Sequence, residues 1–178
     1  MKGLTVLAVA AALAAATAGR ASAEVALEGV HWQVGRQEGG RVVAWQDVKV
    51  LREGPPKLDS RLRARLVLKN RDAKPEEGIL IRYSMTARVA PAAGGAAEGS
   101  WAIPFVVDER RVPKIAPDKM IDVTLETGAA LEIYLRRLSR AGWWPDRIKL
   151  QVMLEPHPGS TALQTVEDVL EIQKEPRP

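Results

Sequence analysis

Between residues 61 and 69 every second side chain is apolar, with Leu62, Ala64, Leu66 and Leu68 on one face and Arg61, Arg63, Arg65 and Lys69 on the other. A repeat of two is what a strand shows when one face meets a core and the other meets water. The pattern recurs over 79–89, where Ile79, Ile81, Tyr83, Met85, Ala87 and Val89 alternate with Arg82, Ser84, Thr86 and Arg88. It returns at Ile121, Val123 and Leu125, and again at Ile148, Leu150, Val152 and Leu154. Weaker runs over 30–34, 42–51, 101–108 and 165–173 complete the set. Pro104 has no N–H to give to a ladder, so 101–108 is expected at a sheet edge. Breakers separate the runs: Gly39-Gly40, Gly54-Pro55-Pro56, Asn70-Arg71-Asp72, Pro113 with Pro117, and 156–159. The Gly- and Ala-rich stretch 91–100 reads as a loop tip.

One segment follows a different period. Over about 129–141, Leu131, Leu135 and Leu138 fall on one helical stripe with Tyr134 beside them. Thr127 is the expected N-cap, Glu132 and Arg136 are spaced to pair, and Gly142 is placed to end the helix. Pro145 then stops any continuation. About eight short strands with polar turns and one inserted helix predict a mostly β fold, an antiparallel sandwich. The basic row on 61–69 and the acids Asp122 and Glu126 on 121–126 predict that these two strands are neighbours. Each opposed pair would contribute roughly 0.2–1 kcal/mol.

The stretch 62–126 runs "LRARLVLKNRDAKPEEGILIRYSMTARV", a spacer, then "IPFVVDERRVPKIAPDKMIDVTLE". This order resembles the immunoglobulin-like modules of exported bacterial proteins, of the FxLYD and CARDB type. A strand ends in Lys69-Asn70, a turn and a second strand follow, and a Pro precedes a Val-x-Leu strand. Where those modules have Pro-Gly, this chain has Pro117-Asp118, and the aromatic motif of the FxLYD family is absent around Tyr83. The resemblance implies an adhesive or scaffolding sandwich and brings no functional residue with it.

The N-terminus reads as a secretory signal peptide over 1–23. Lys2 precedes the uncharged run from Leu4 to Ala18, and Ala21-Ser22-Ala23 offers small residues for cleavage before Glu24. The run is shorter than a membrane span and has no lipidation cysteine, so no lasting anchor is expected after cleavage. Residues 24–178 then form one domain, periplasmic or secreted. Removing Lys2 and Arg20 leaves 24 basic against 22 acidic residues, a net charge near +2. That balance argues against a nucleic-acid partner. The chain has no cysteine, which excludes disulfides, thiolate chemistry and cysteine-ligated zinc or haem.

Catalytic and cofactor signatures are missing. His31 and His157 lie in no metal-ligand spacing, so neither a metal nor a cofactor is expected. No Gly-x-Ser-x-Gly elbow, Ser-x-x-Lys pair or phosphate-cradling loop occurs. The adjacent acids Glu76-Glu77, Asp108-Glu109 and Glu167-Asp168 would point to opposite faces of a strand. Five Trp against one Phe is unusual, and Trp143-Trp144 directly follow the helix. Either both plug the seam below the helix or one packs there while the other meets solvent. The expected contact surface is this corner: Tyr134, Arg137, Arg140, Trp143 and Trp144.

The expected function is a non-enzymatic binding or structural module that contacts an envelope protein. Two alternatives stand beside it. One is a carbohydrate-binding module that uses Trp143 and Trp144, with polysaccharide as partner. The other is an envelope hydrolase whose carboxylates are brought together by folding.

Overall fold

The alternating runs become strands, and their apolar faces share one core. The computed structural model describes residues 25–39, 41–53, 61–93, 99–155 and 163–174. The expected signal peptide over 1–23, Gly40, Gly54-Pro55-Pro56, residues 94–98 of the predicted loop and the expected 156–159 turn with His157 lie outside the described residues. The elements follow in the order β1 (Val25–Glu38), β2 (Arg41–Val48), β3 (Val50–Glu53), β4 (Arg61–Asn70) and β5 (Glu76–Pro91). After these come β6 (Ser100–Trp101), β7 (Val106–Ile115), β8 (Met120–Glu126), α1 (Gly128–Arg140), β9 (Trp143–Leu154) and β10 (Gln164–Lys174).

Among the described residues the chain is mostly β, with one helix and two sheets. The first sheet has the order β2-β1-β4-β8, all antiparallel. The second has the order β3-β10-β9-β5, with β6 and β7 both on the far side of β5. Among the described strands only β3 pairs in parallel, on β10. Leu62, Ala64, Leu66 and Leu68 of the first sheet are buried in one cluster with Ile79, Ile81, Met85, Ile148, Leu150 and Val152 of the second. Leu131 and Leu135 of α1 join it, and Leu138 packs against it, as the helical stripe requires.

β4 and β8 are neighbours. Arg65 lies 3.0 Å from Asp122 and 3.2 Å from Asp47, and Arg63 lies 3.8 Å from Glu126. Arg71 reaches Glu28 at 2.8 Å, so much of the basic row is paired with acids.

Several local expectations are corrected. The run 42–51 is two strands in different sheets. Val48 pairs with Trp32 of β1, whereas Leu51 pairs with Ile172 of β10. The chain turns the corner at Lys49 without a Gly or Pro, so nothing in the alternation marks it. Pro104 divides 101–108 into β6 and β7, both at an edge, and Phe105 N–H still reaches Met85 O at 2.9 Å. Pro113 is not a breaker; it lies inside β7, opposite Gly78 with φ +68. An edge strand tolerates the missing donor there.

At the start of α1, Thr127 does not cap. Its hydroxyl donates to Leu62 O at 2.7 Å, which ties the helix entrance to β4. Glu132 pairs with Arg61 of β4 rather than with Arg136. The helix end is as expected: Gly142 takes φ +78 and its N–H meets Ser139 O at 3.1 Å. Trp143 and Trp144, directly after the helix, open β9.

Asn70 ties two turns together at the other end of β4. Completely buried, it donates from Nδ2 to Lys74 O (2.7 Å), Ile115 O (3.1 Å) and Ala116 O (3.3 Å). Its Oδ1 accepts from Asp72 N–H at 2.9 Å. The second of these turns is Ala116-Pro117-Asp118-Lys119, closed by Lys119 N–H to Ala116 O at 3.2 Å. Asp118 takes φ +55, the conformation for which glycine is usual.

Candidate functional site

The five residues expected at the helix–strand corner are divided by the fold. Arg137 and Arg140 are exposed, in line with exposed Ile133 at helical spacing. Trp143 is 42 % exposed. Trp144, the next residue along the strand, is 1 % exposed and belongs to the core. Tyr134 is half-buried, its ring stacked on Phe105 with centroids 5.1 Å apart. Desolvation pushes its hydroxyl above the usual tyrosine range. Of the two arrangements open to the tryptophans, the divided one holds. Trp144 therefore leaves the contact surface, and with it goes any platform made of both rings.

The outer face of the first sheet is a closed polar network. Gln33 donates to Asp47 at 2.7 Å and accepts from Arg63 at 2.8 Å. The Arg63 guanidinium lies 3.8 Å from the centre of the Trp45 ring. The Gln33 amide and then Arg65 hold the Asp47 carboxyl below its ordinary value. His31 lies 3.5 Å from Asp47. These side chains bond mainly to one another, which is a structural role, although the buried Arg65 Nε has no hydrogen-bond partner.

Two concavities escape sequence reasoning. The first, about 530 Å³, opens between β7 and β8 beside the first turn of α1. Asp108, Arg110, Glu126 and Tyr83 line it. The Tyr83 hydroxyl donates to Asp108 at 3.2 Å. Burial first, and Asp108 second, push the Tyr83 hydroxyl up to about 12. It is a neutral hydrogen-bond donor at neutral pH, not a base. Folding stability carried by neutral Tyr83 is complete below the unfolded value near 10 and is lost as pH rises towards 12. Urea midpoints compared with Tyr83→Phe should therefore converge or cross over that alkaline interval. Parallel curves would contradict the assignment.

The second concavity, about 580 Å³, lies on the outer face of the six-stranded sheet, with Arg82, Ser84, Glu109, Gln151 and Met153 among its walls. Ser84, Gln151 and Glu167 stand side by side on β5, β9 and β10. Ser84 donates to Gln151 at 3.3 Å, and Gln151 donates to Glu167. Farther along that face, Trp101 is 43 % exposed, with the Lys149 ammonium 4.9 Å from its ring centre. Alternation marks Ser84 and Gln151 as outward residues. Their juxtaposition depends on pairing between strands far apart in sequence, which no local signal records. The acids Asp108 and Glu109 do point to opposite faces, Asp108 towards Tyr83 and Glu109 towards Arg82 at 3.8 Å.

Among the described residues, no group of three or more His, Cys, Asp or Glu side chains could hold a metal ion. No described helix is long and apolar enough to cross a membrane. No protein-family model and no curated protein matches the sequence. Among solved structures, the chain is similar to a protein from Archaeoglobus fulgidus at 12 % identity and a TM-score of 0.34, covering 83 % of this chain and 98 % of that one. It is also similar to the C-terminal domain of wzt, at 8 % identity and a TM-score of 0.32, covering 87 % and 77 % of the two chains. Likeness at this level carries no argument about function.

Proposed function

We propose that this chain is a non-enzymatic binding or structural module, built on an immunoglobulin-like sandwich and exported to the periplasm or beyond. Its partner is an envelope protein, met at the corner where α1 joins β9. The observation that supports this reading is the exposed set Ile133, Arg137, Arg140 and Trp143. Trp and Arg are the side chains that most often dominate protein interfaces. Here they stand on a helix and a strand end anchored beneath by Leu131, Leu135 and Trp144. The backbone that carries them is ordered before binding, so the ordering cost left is that of the side chains themselves.

The test is photocrosslinking in cells that export the whole chain. A photoreactive residue in place of Arg136, beside the contact set, should give a discrete adduct with one partner. The same residue in place of Val43, also exposed and on the edge strand β2, should not.

A further inference from the structure

We infer that the outer face of the six-stranded sheet binds a neutral, hydroxyl-rich ligand, a stretch of uncharged polysaccharide. This surface is separate from the proposed protein-contact corner. The inference starts from the two kinds of surface found side by side there. Ser84, Gln151 and Glu167 form a row of hydrogen-bonding groups across three paired strands. Each has capacity beyond the bonds within the row: Gln151 a further amide hydrogen, Ser84 and Glu167 further lone pairs. Because the row is held by strands and by its own bonds, it is ordered before any ligand arrives.

Apolar surface flanks this row. Val107, directly across from Ser84, is 77 % exposed, and Met153 is also exposed. Trp101 pairs with Arg88 at the far end of the same face, and its ring reaches Lys149, one step along β9 from Gln151. From Arg82 to Arg88 the face runs six residues of β5, about 20 Å. A pyranose chain has this same dual character: ring faces of C–H bonds and an equator of hydroxyls. Aromatic and aliphatic surfaces cover the former, and planar amide and carboxylate groups bond the latter.

Charge decides against an anionic ligand. Arg82 is paired with Glu109 and Glu155, Lys149 with Glu167 at 3.8 Å, and Arg88 with both Asp146 oxygens at 2.9 and 2.6 Å. A phosphate or sulfate arriving beside Arg82, Lys149 or Arg88 would meet Glu109, Glu167 or Asp146 as well. A neutral ligand can bond the spare positions of Ser84, Gln151 and Glu167 without breaking these ion pairs.

The experiment follows amide and indole resonances of the exported chain during titration with neutral gluco-, manno- and xylo-hexaoses, and with a sulfated glycan as comparison. At least one neutral hexaose should give saturable shifts at the Trp101 indole N–H and at the Ser84, Gln151 and Glu167 amides. Added salt should leave that binding unchanged. Trp101→Ala should weaken it at least tenfold without moving the thermal midpoint, and Trp143→Ala should leave it intact. The inference is overturned if no neutral hexaose shifts these signals at millimolar concentration, if the shifts gather around Trp143, or if only the sulfated glycan binds and salt releases it.

Discussion

Trp144→Ala is expected to destabilise the domain by about 3–5 kcal/mol, the usual cost of emptying a buried Trp site. Trp143→Ala, one residue earlier, should stay within about 0.5 kcal/mol, as exposed substitutions do. The contrast follows from a strand's alternation, which places Trp144 at 1 % exposure and its neighbour at 42 %. Trp144 lies in the cluster that holds Leu131 and Leu135 of α1, so its loss also loosens the helix. Against a typical total of about 5–15 kcal/mol, the core variant loses a large share of its stability. Urea denaturation of the two single variants measures this directly. Equal effects would mean that the two rings share one environment.

The second large effect concerns Asn70. Asn70→Ala removes the side-chain partner of the Lys74 and Ile115 carbonyls and of the Asp72 N–H, while the Ala116 carbonyl keeps only its bond from Lys119 N–H. Each buried polar group left unpaired costs about 1–3 kcal/mol, so a loss of about 3–5 kcal/mol is expected after partial relaxation. Asn70→Asp separates this from a packing effect. It keeps the shape and the acceptor for Asp72, but an ionised carboxylate cannot donate to three carbonyls. Its folded-state pKa must rise, so the variant should regain stability as pH falls through that raised value, relative to wild type. A variant as stable as wild type at neutral pH would show that Asn70 is not the fastener of these turns.

Much of this architecture could be read from alternation alone. Leu62 to Leu68, Ile79 to Ala87 and Ile148 to Leu154 face inward on the parity that the sequence pattern predicts. The neighbouring of β4 and β8 followed from Arg65 and Asp122 carrying opposite charges on matching faces. What stayed hidden depends on distant pairing or on edge position. The run Asp108-Glu109-Arg110-Arg111 has no apolar period because β7 lies at an edge, and only its register against β5 brings Asp108 to Tyr83. The corner at Lys49 carries no breaker, so two strands of different sheets look like one. Thr127 has the right residue type for a cap, yet its hydroxyl is drawn to Leu62 O by a contact 65 residues away in sequence.

The candidate corner was legible only by halves. Helical spacing placed Arg137 and Arg140 on the outer side, but the two adjacent tryptophans carried no sign of which would be buried. The groove beside Trp101 was invisible for the same reason as the Tyr83 contact: its polar row is assembled from strands that begin at residues 76, 143 and 164.

The proposed protein contact is tested most directly by the yield of crosslinked adduct from position 136 in cells that express the whole chain, with and without Trp143→Ala and Arg137→Ala. The account predicts one discrete adduct that disappears when both side chains are removed, with no adduct from position 43. Equal yields from the two positions, or an adduct indifferent to the double substitution, would contradict it.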